Sequence, residues 1–293
     1  MEKVYSILLL LCPILHSVSF SFGPKEYVSV EQLEQAGKIS VSIEGIGGYQ
    51  QECVQLIVRN LAIDSIHGMV EAGRKLNSLN DGEQDILVVK NRKFSLGRGQ
   101  ADTIKVTGFC CESTKSSPGK NSLFGIGILA PAAWLILTNI IDKYNFPPSA
   151  IQHSIWALSN NHDIRSIPAF NNPETDQLRH TVANILDIEL PWYSFAYAPD
   201  TADLFSGHKT HLFAEVPFTI PFQALISTEI FDKNGNLMYQ AYAGSFRAGE
   251  NTLRINVPIE NWEVDDYDLF IMEDLHTTNK KLKLTLKEIQ SQE

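Results

Sequence analysis

Cysteine is scarce in this chain, with four in 293 residues, and Cys12 falls inside an apolar N-terminal stretch. That excludes a disulfide-dense scaffold in which covalent staples stand in for a core. Basic residues are also in deficit: 24 Lys and Arg face 34 Asp and Glu, for a net charge of -10. A surface that tracks nucleic-acid phosphates or anionic lipid needs clustered Lys and Arg, so neither partner is expected. His208 and His211 have a spacing seen in metal sites, but no cysteine or carboxylate completes a zinc pattern around them. Gly45, Gly47 and Gly48 lack both the spacing and the following helix of a dinucleotide fingerprint. Glu263, Asp265, Asp266 and Asp268 lack EF-hand spacing and read as a solvated acidic turn. No cofactor or metal is expected. A nucleophile built from Cys111 with His153 or His162 would have no orienting partner or oxyanion motif, so no catalytic residue is assigned.

What is present begins with an export signal over 1–19. Lys3 supplies the basic start, Ile7 to Leu15 the apolar run, and Ser17 and Ser19 the small residues before cleavage at Phe20. The mature chain would keep about 270 residues, enough for two domains. It would also keep three cysteines, Cys53, Cys110 and Cys111. With 44% hydrophobic and 20% charged residues, the composition suits ordinary globular cores. The chain is expected to be secreted or held on the outer cell surface. Leu123 to Ile141 carries no charge, but Gly125, Gly127 and Pro131 interrupt it. It reads as a buried core helix rather than a membrane span.

Short alternating runs separated by turn residues fill 36–112. Ile39–Ile43, Cys53–Val58, Ile66–Val70, Asp85–Val89 and Thr103–Phe109 read as strands of an antiparallel sandwich. Helical patterning follows over Ala132–Lys143 and Ala150–Asn160, then in a third helix opened by Asn172-Pro173-Glu174. The fold class is therefore mainly β with a helical layer (α+β). The first domain spans 36–196, and 197–211 is a linker. A small Ig- or fibronectin-like sandwich occupies 212–287, with Asn234-Gly235 marking a hairpin. The aromatic run Trp192 to Tyr197 is expected to pack one domain on the other.

The densest chemistry lies in Phe109-Cys110-Cys111 and Ile151-Gln152-His153-Ser154-Ile155-Trp156. The plainer reading pairs Cys53 with Cys110 or Cys111 in a disulfide, with free or intermolecular thiols also open, and leaves Gln152 an ordinary polar helix residue. The other reading starts from a resemblance. These two stretches, with Val54-Gln55-Leu56-Ile57-Val58, resemble the aromatic-Cys, apolar-Gln and Gln-x-x-Ile-Trp motifs of thioester domains in bacterial surface adhesins. Ile151 and Ser154 stand where that family has Thr and Ala. The resemblance implies a Cys110–Gln152 thioester, supported by Cys111 and Gln55 and shielded by Trp156. Leu212 to Leu286 also resembles the sandwich domain that ends many proteins exported by the type IX system. Phe218 to Pro221, Ile230 to Gly235, Ala248-Gly249 and Tyr267 to Phe270 carry that likeness. Asp265-Asp266 replaces the usual Gly-x before the penultimate tyrosine. Together the resemblances imply a non-enzymatic surface adhesion module whose partner is a surface protein or glycan. A cysteine hydrolase or amidase and a structural envelope protein are the alternatives.

Overall fold

A computed structural model describes residues 26–168, 173–198 and 205–287. The expected signal over 1–19 and the centre of the expected linker fall outside them. The chain opens with β1 (Val28–Ser29), helix α1 (Val30–Gln35), β2 (Ile39–Ile46), β3 (Gln50–Asn60), β4 (Ile66–Val70) and β5 (Arg74–Ser78). β6 (Ile86–Val88), β7 (Arg92–Leu96), β8 (Ala101–Cys110) and β9 (Lys120–Leu129) complete the first β unit. Helices α2 (Ala132–Lys143), α3 (Pro148–Ser159) and α4 (Pro173–Leu186) come next. The rest is strand: β10 (Tyr193–Tyr197), β11 (Lys209–Ile220), β12 (Ala224–Phe231) and β13 (Leu237–Phe246), then β14 (Gly249–Pro258), β15 (Asp266–Glu273) and β16 (Thr277–Thr285). The molecule is mainly β with a helical layer.

The antiparallel strands of the first unit close on themselves in the order β2-β3-β8-β6-β5-β9, with β1-β4-β7 as a small side sheet. Alternation drives this. Val54, Leu56 and Val58 of β3 turn into the barrel core, while Ile57 and Arg59 face solvent. A one-residue bulge interrupts the β3–β8 ladder between Gln51 and Val54, and Gln51 takes a φ of 65° there. Such a bulge re-aims the side chains beside it. Gly108, opposite the bulge, has no room for a side chain: a Cβ would lie 2.4 Å from Ile86 Cγ2.

The uncharged stretch from Leu123 is not one core helix. Its first part is β9, which closes the barrel against β2 and β5, and helix α2 starts only after Pro131. The reason is local. A Cβ on Gly127 would sit 2.5 Å from Asn77 Oδ1, so glycine lets the strands approach. The Gly127 carbonyl also accepts a hydrogen bond of 2.8 Å from Arg74. Arg74 is itself buried and pairs with Glu31 and Glu71, tying α1 to the barrel. Among the described residues no helix is long and apolar enough to cross a membrane.

The helices cover the barrel through a second core. Leu87, Val89, Phe109 and Cys111 pack against Leu137, Ile141, Ile151, Ile155, Leu178 and Val182. The last seven strands form two facing sheets, β10-β11-β14 and β13-β12-β15-β16. Here the expected boundary at 196 moves. The Tyr193–Tyr197 run is not the end of the first unit but an edge strand of the sandwich, paired antiparallel with β11. Tyr193 and Phe195 enter the sandwich core, so alternation commits this run to the second unit. At Asn234-Gly235 the Asp232 carboxylate accepts from the backbone N–H groups of Asn234 (2.9 Å) and Asn236 (2.7 Å). Gly235 takes a φ of 81° there, which glycine tolerates without strain.

Candidate functional site

A cavity of about 390 Å³ lies where the helical layer meets the sandwich. Its floor is the end of the barrel at Tyr49 and Gln50. One wall is α3, which presents Ser149, Gln152, His153 and Trp156. The other is the end of β10 with Tyr197 and the nearby Phe205. Among the described residues none that lines it is Asp, Glu, Lys or Arg. Two arginines hold the walls together from behind. Arg165, paired with Asp163, donates to Tyr193 Oη and to the Thr285 carbonyl (2.7 Å). Arg179 donates to the carbonyls of Pro191 (2.8 Å) and Tyr193 (3.2 Å).

The aromatic rings form one continuous wall. Phe205 lies 5.5 Å from His153, 5.6 Å from Trp156, 4.5 Å from His162 and 4.9 Å from Tyr197, between ring centroids. His153 stacks on Tyr197 at 6.0 Å. Behind that wall, Ser113 and His162 Nε2 share a hydrogen bond of 2.7 Å, which ties the turn after β8 to the chain beyond α3. Burial holds both histidines neutral. It lowers His153 to about 4, helped by His162 nearby. It lowers His162 to about 4 as well, against the opposing pull of Asp163. Burial also pushes the Tyr197 hydroxyl above its ordinary value.

The polar atoms here are unusual in having no protein partner. Gln50 Oε1, Gln152 Oε1, His153 Nδ1, Trp156 Nε1, Ser166 Oγ and Tyr197 Oη are all buried, unpaired and part of this one lining. Buried polar groups are nearly always paired, because each orphan costs about 1–3 kcal/mol. Six side chains that line one space thus each bury an unpaired polar atom just beneath it, where a small side-chain rotation would offer it to a ligand.

The expected site residues are only partly gathered. Gln152 and Cys110 do meet, but through the backbone: Gln152 Nε2 donates to the Cys110 carbonyl at 2.7 Å. The Cys110 side chain belongs to the barrel core. Trp156 is in the wall. Gln55 is half-buried on β3, paired with Glu44 and Lys105 and not part of the lining.

The expected disulfide from Cys53 to Cys110 or Cys111 is not formed: all three are buried and none is bridged. Cys110 and Cys111 are neighbours that enter different cores, one the barrel and one the helical layer. Cys53 Sγ instead donates to the Gly108 carbonyl (3.5 Å) and Cys111 Sγ to that of Asp85 (3.2 Å). Burial pushes the thiols of Cys53 and Cys111 up to about 12. Neither is a thiolate near neutral pH, so neither is set up as a nucleophile. Among the described residues no three His, Cys, Asp or Glu side chains gather to hold a metal ion.

The sequence reading missed Gln50, Ser166, Tyr197 and Phe205. Only the aromatic run ending at Tyr197 gave any signal. The other three come from distant segments and have no motif.

No family model and no curated protein matches the chain. Among solved structures it overlaps red sea bream transglutaminase at 10% identity and a TM-score of 0.20, over 87% of this chain and 33% of that one. A Parabacteroides merdae β-glucuronidase with glycerol in its active site overlaps at 13% identity and a TM-score of 0.20, over 82% and 28%. The chain thus spans about a third of the length of these enzymes. At such scores the overlap assigns neither a fold family nor an activity.

Proposed function

We propose that the protein is an exported, non-enzymatic binding module of the cell surface whose ligand site is the cavity between α3 and β10. One observation carries this reading: six residues lining a single uncharged, aromatic-walled space each hold a buried polar atom without a partner. Ligand pockets commonly combine apolar walls with a few placed polar groups and form where structural units meet. The raised thiol values of Cys53 and Cys111 favour binding over cysteine catalysis. The surface setting is part of the proposal and rests on the sequence alone, on the export signal read over 1–19 and the resemblance of 212–286 to type IX sandwiches. The test is a thermal-unfolding screen against a library of small neutral compounds. Binding to the folded state raises the midpoint by mass action. No midpoint change with any compound at saturating concentration sinks the reading.

A second reading starts from the nearness of Gln152 to Cys110, which meet at the Cys110 backbone carbonyl while its side chain lies in the barrel core. In it the Cys110 sulfur attacks the Gln152 carboxamide carbon, the C–N bond breaks, and ammonia leaves with the thiol proton. The acyl thioester so formed would be opened by an amine on a partner surface. Intact mass decides. A protein lighter by one ammonia that gains methylamine and a new thiol carries the bond. A full mass that methylamine does not alter removes this reading.

A further inference from the structure

Resting on the binding reading above, the geometry points to a neutral sugar as the ligand of this cavity, seated on the Trp156–His153–Tyr197–Phe205 wall, its hydroxyls paired with orphaned groups that lie just under the lining and turn toward it on binding.

The chemistry of the lining selects the class. No described lining residue is charged. The cations behind its rings, Arg165 at 5.4 Å from Phe195 and Lys209 at 6.0 Å from Tyr197, are engaged with Asp163 and the Lys287 carbonyl. A charged ligand would therefore be buried without a direct counter-charge, which is costly. A purely apolar ligand would leave all the orphans unpaired. The orphans are mixed: Gln50 Oε1 and Gln152 Oε1 can only accept, Trp156 Nε1 can only donate, and Ser166 Oγ and Tyr197 Oη can do either. A ligand that satisfies such a set without charge must offer groups that both donate and accept at several points. Sugar hydroxyls do this at nearly every carbon.

The wall argues the same way. Its rings touch one another at 4.9 to 6.0 Å between centroids, tilted by 28 to 79°. That leaves no parallel slot into which a flat base could slide. It does give a broad apolar face on which the C–H side of a puckered ring can rest. The space of about 390 Å³ would hold a dozen or so waters at ~30 Å³ each, which is ample for a sugar unit.

The orphans also supply a clean test. A group with no protein partner can be deleted without breaking an internal bond, so Ser166→Ala and Tyr197→Phe should fold at least as stably as the parent. The full chain would be titrated with a panel of neutral mono- and oligosaccharides, beside sialylated glycans and neutral peptides. Binding would be followed by tryptophan fluorescence and calorimetry. We expect one or more neutral saccharides to bind and each substitution to weaken that binding about five- to tenfold, the worth of one hydrogen bond. Saccharide binding that both variants retain in full overturns the assignment of these groups. Binding of a peptide or acidic glycan that the variants weaken, with no neutral saccharide bound, overturns the sugar but leaves a ligand site. No ligand at all, with both variants more stable than the parent, means a hydrated cavity only and removes both readings together.

Discussion

The C-terminal sandwich and the seam beside it bury comparable chemistry to opposite ends. In the sandwich, Leu212, Ile226, Ile230, Val257, Leu269 and Ile271 are wholly buried in an apolar core. Away from the cavity, its unpaired buried side-chain atoms among the described residues are two serine hydroxyls, Ser194 and Ser227. A few residues away, Gln152, Ser166 and Trp156 are also almost fully buried, yet each leaves a polar atom unpaired. One region is organised for stability. The other holds polar groups out of water at a cost that folding alone does not repay. This difference directs attention to the seam, since a site is where local arrangement departs from what stability would choose.

The largest single-residue effect is expected in the sandwich core. Leu269→Ala should cost about 2–5 kcal/mol, because a buried leucine leaves a cavity that its neighbours fill only in part. Denaturant unfolding measures this, and a loss below about 1 kcal/mol would mean that the sandwich core is not the rigid member of the pair.

Acid should act on the seam. His153 and His162 are held at about 4 in the folded protein, against 6.5 for the free group. The unfolded chain therefore takes up these protons first as pH falls. Stability should be level above pH 7, decline between about 6.5 and 4, and lose at most on the order of 3 kcal/mol per histidine. Replacing both histidines by Gln should flatten that part of the profile. An unchanged profile would show that the acid loss comes from other groups.

The smallest effect is expected at Gln152. Gln152→Leu removes the donor to the Cys110 carbonyl but also an orphaned acceptor, so the net loss should be on the order of 1–2 kcal/mol. Thermal unfolding of the variant checks it. A loss as large as that of Leu269→Ala would make Gln152 a structural post of the barrel and weaken its part in the cavity.

Much of the fold was legible because period and punctuation are local. Ile66 to Val70 alternates and is a strand with those bounds; Pro131 and Pro173 mark the helix starts at Ala132 and Pro173. Lys120–Leu129 was misread because glycine within an apolar run has the same composition whether it interrupts a helix or admits a close strand. Only Asn77 and Lys75, brought against Gly127, distinguish the two. The site was legible by halves. Gln152 and Trp156 stood out on one helix, whereas Ser166 and Phe205 belong to segments with no pattern of their own.

By itself the sequence determined the class of the molecule: a mainly β chain, a helical layer in its middle and a second set of strands at its end. Alternation, capping and turn residues act over a few positions and need no distant partner. Only the tertiary structure decided that the first sheet closes, that β10 joins the sandwich, and that neighbouring cysteines enter different cores. It alone decided the site as well. Whether a buried amide or hydroxyl is paired depends on atoms that arrive from other parts of the chain, and packing is what brings them there.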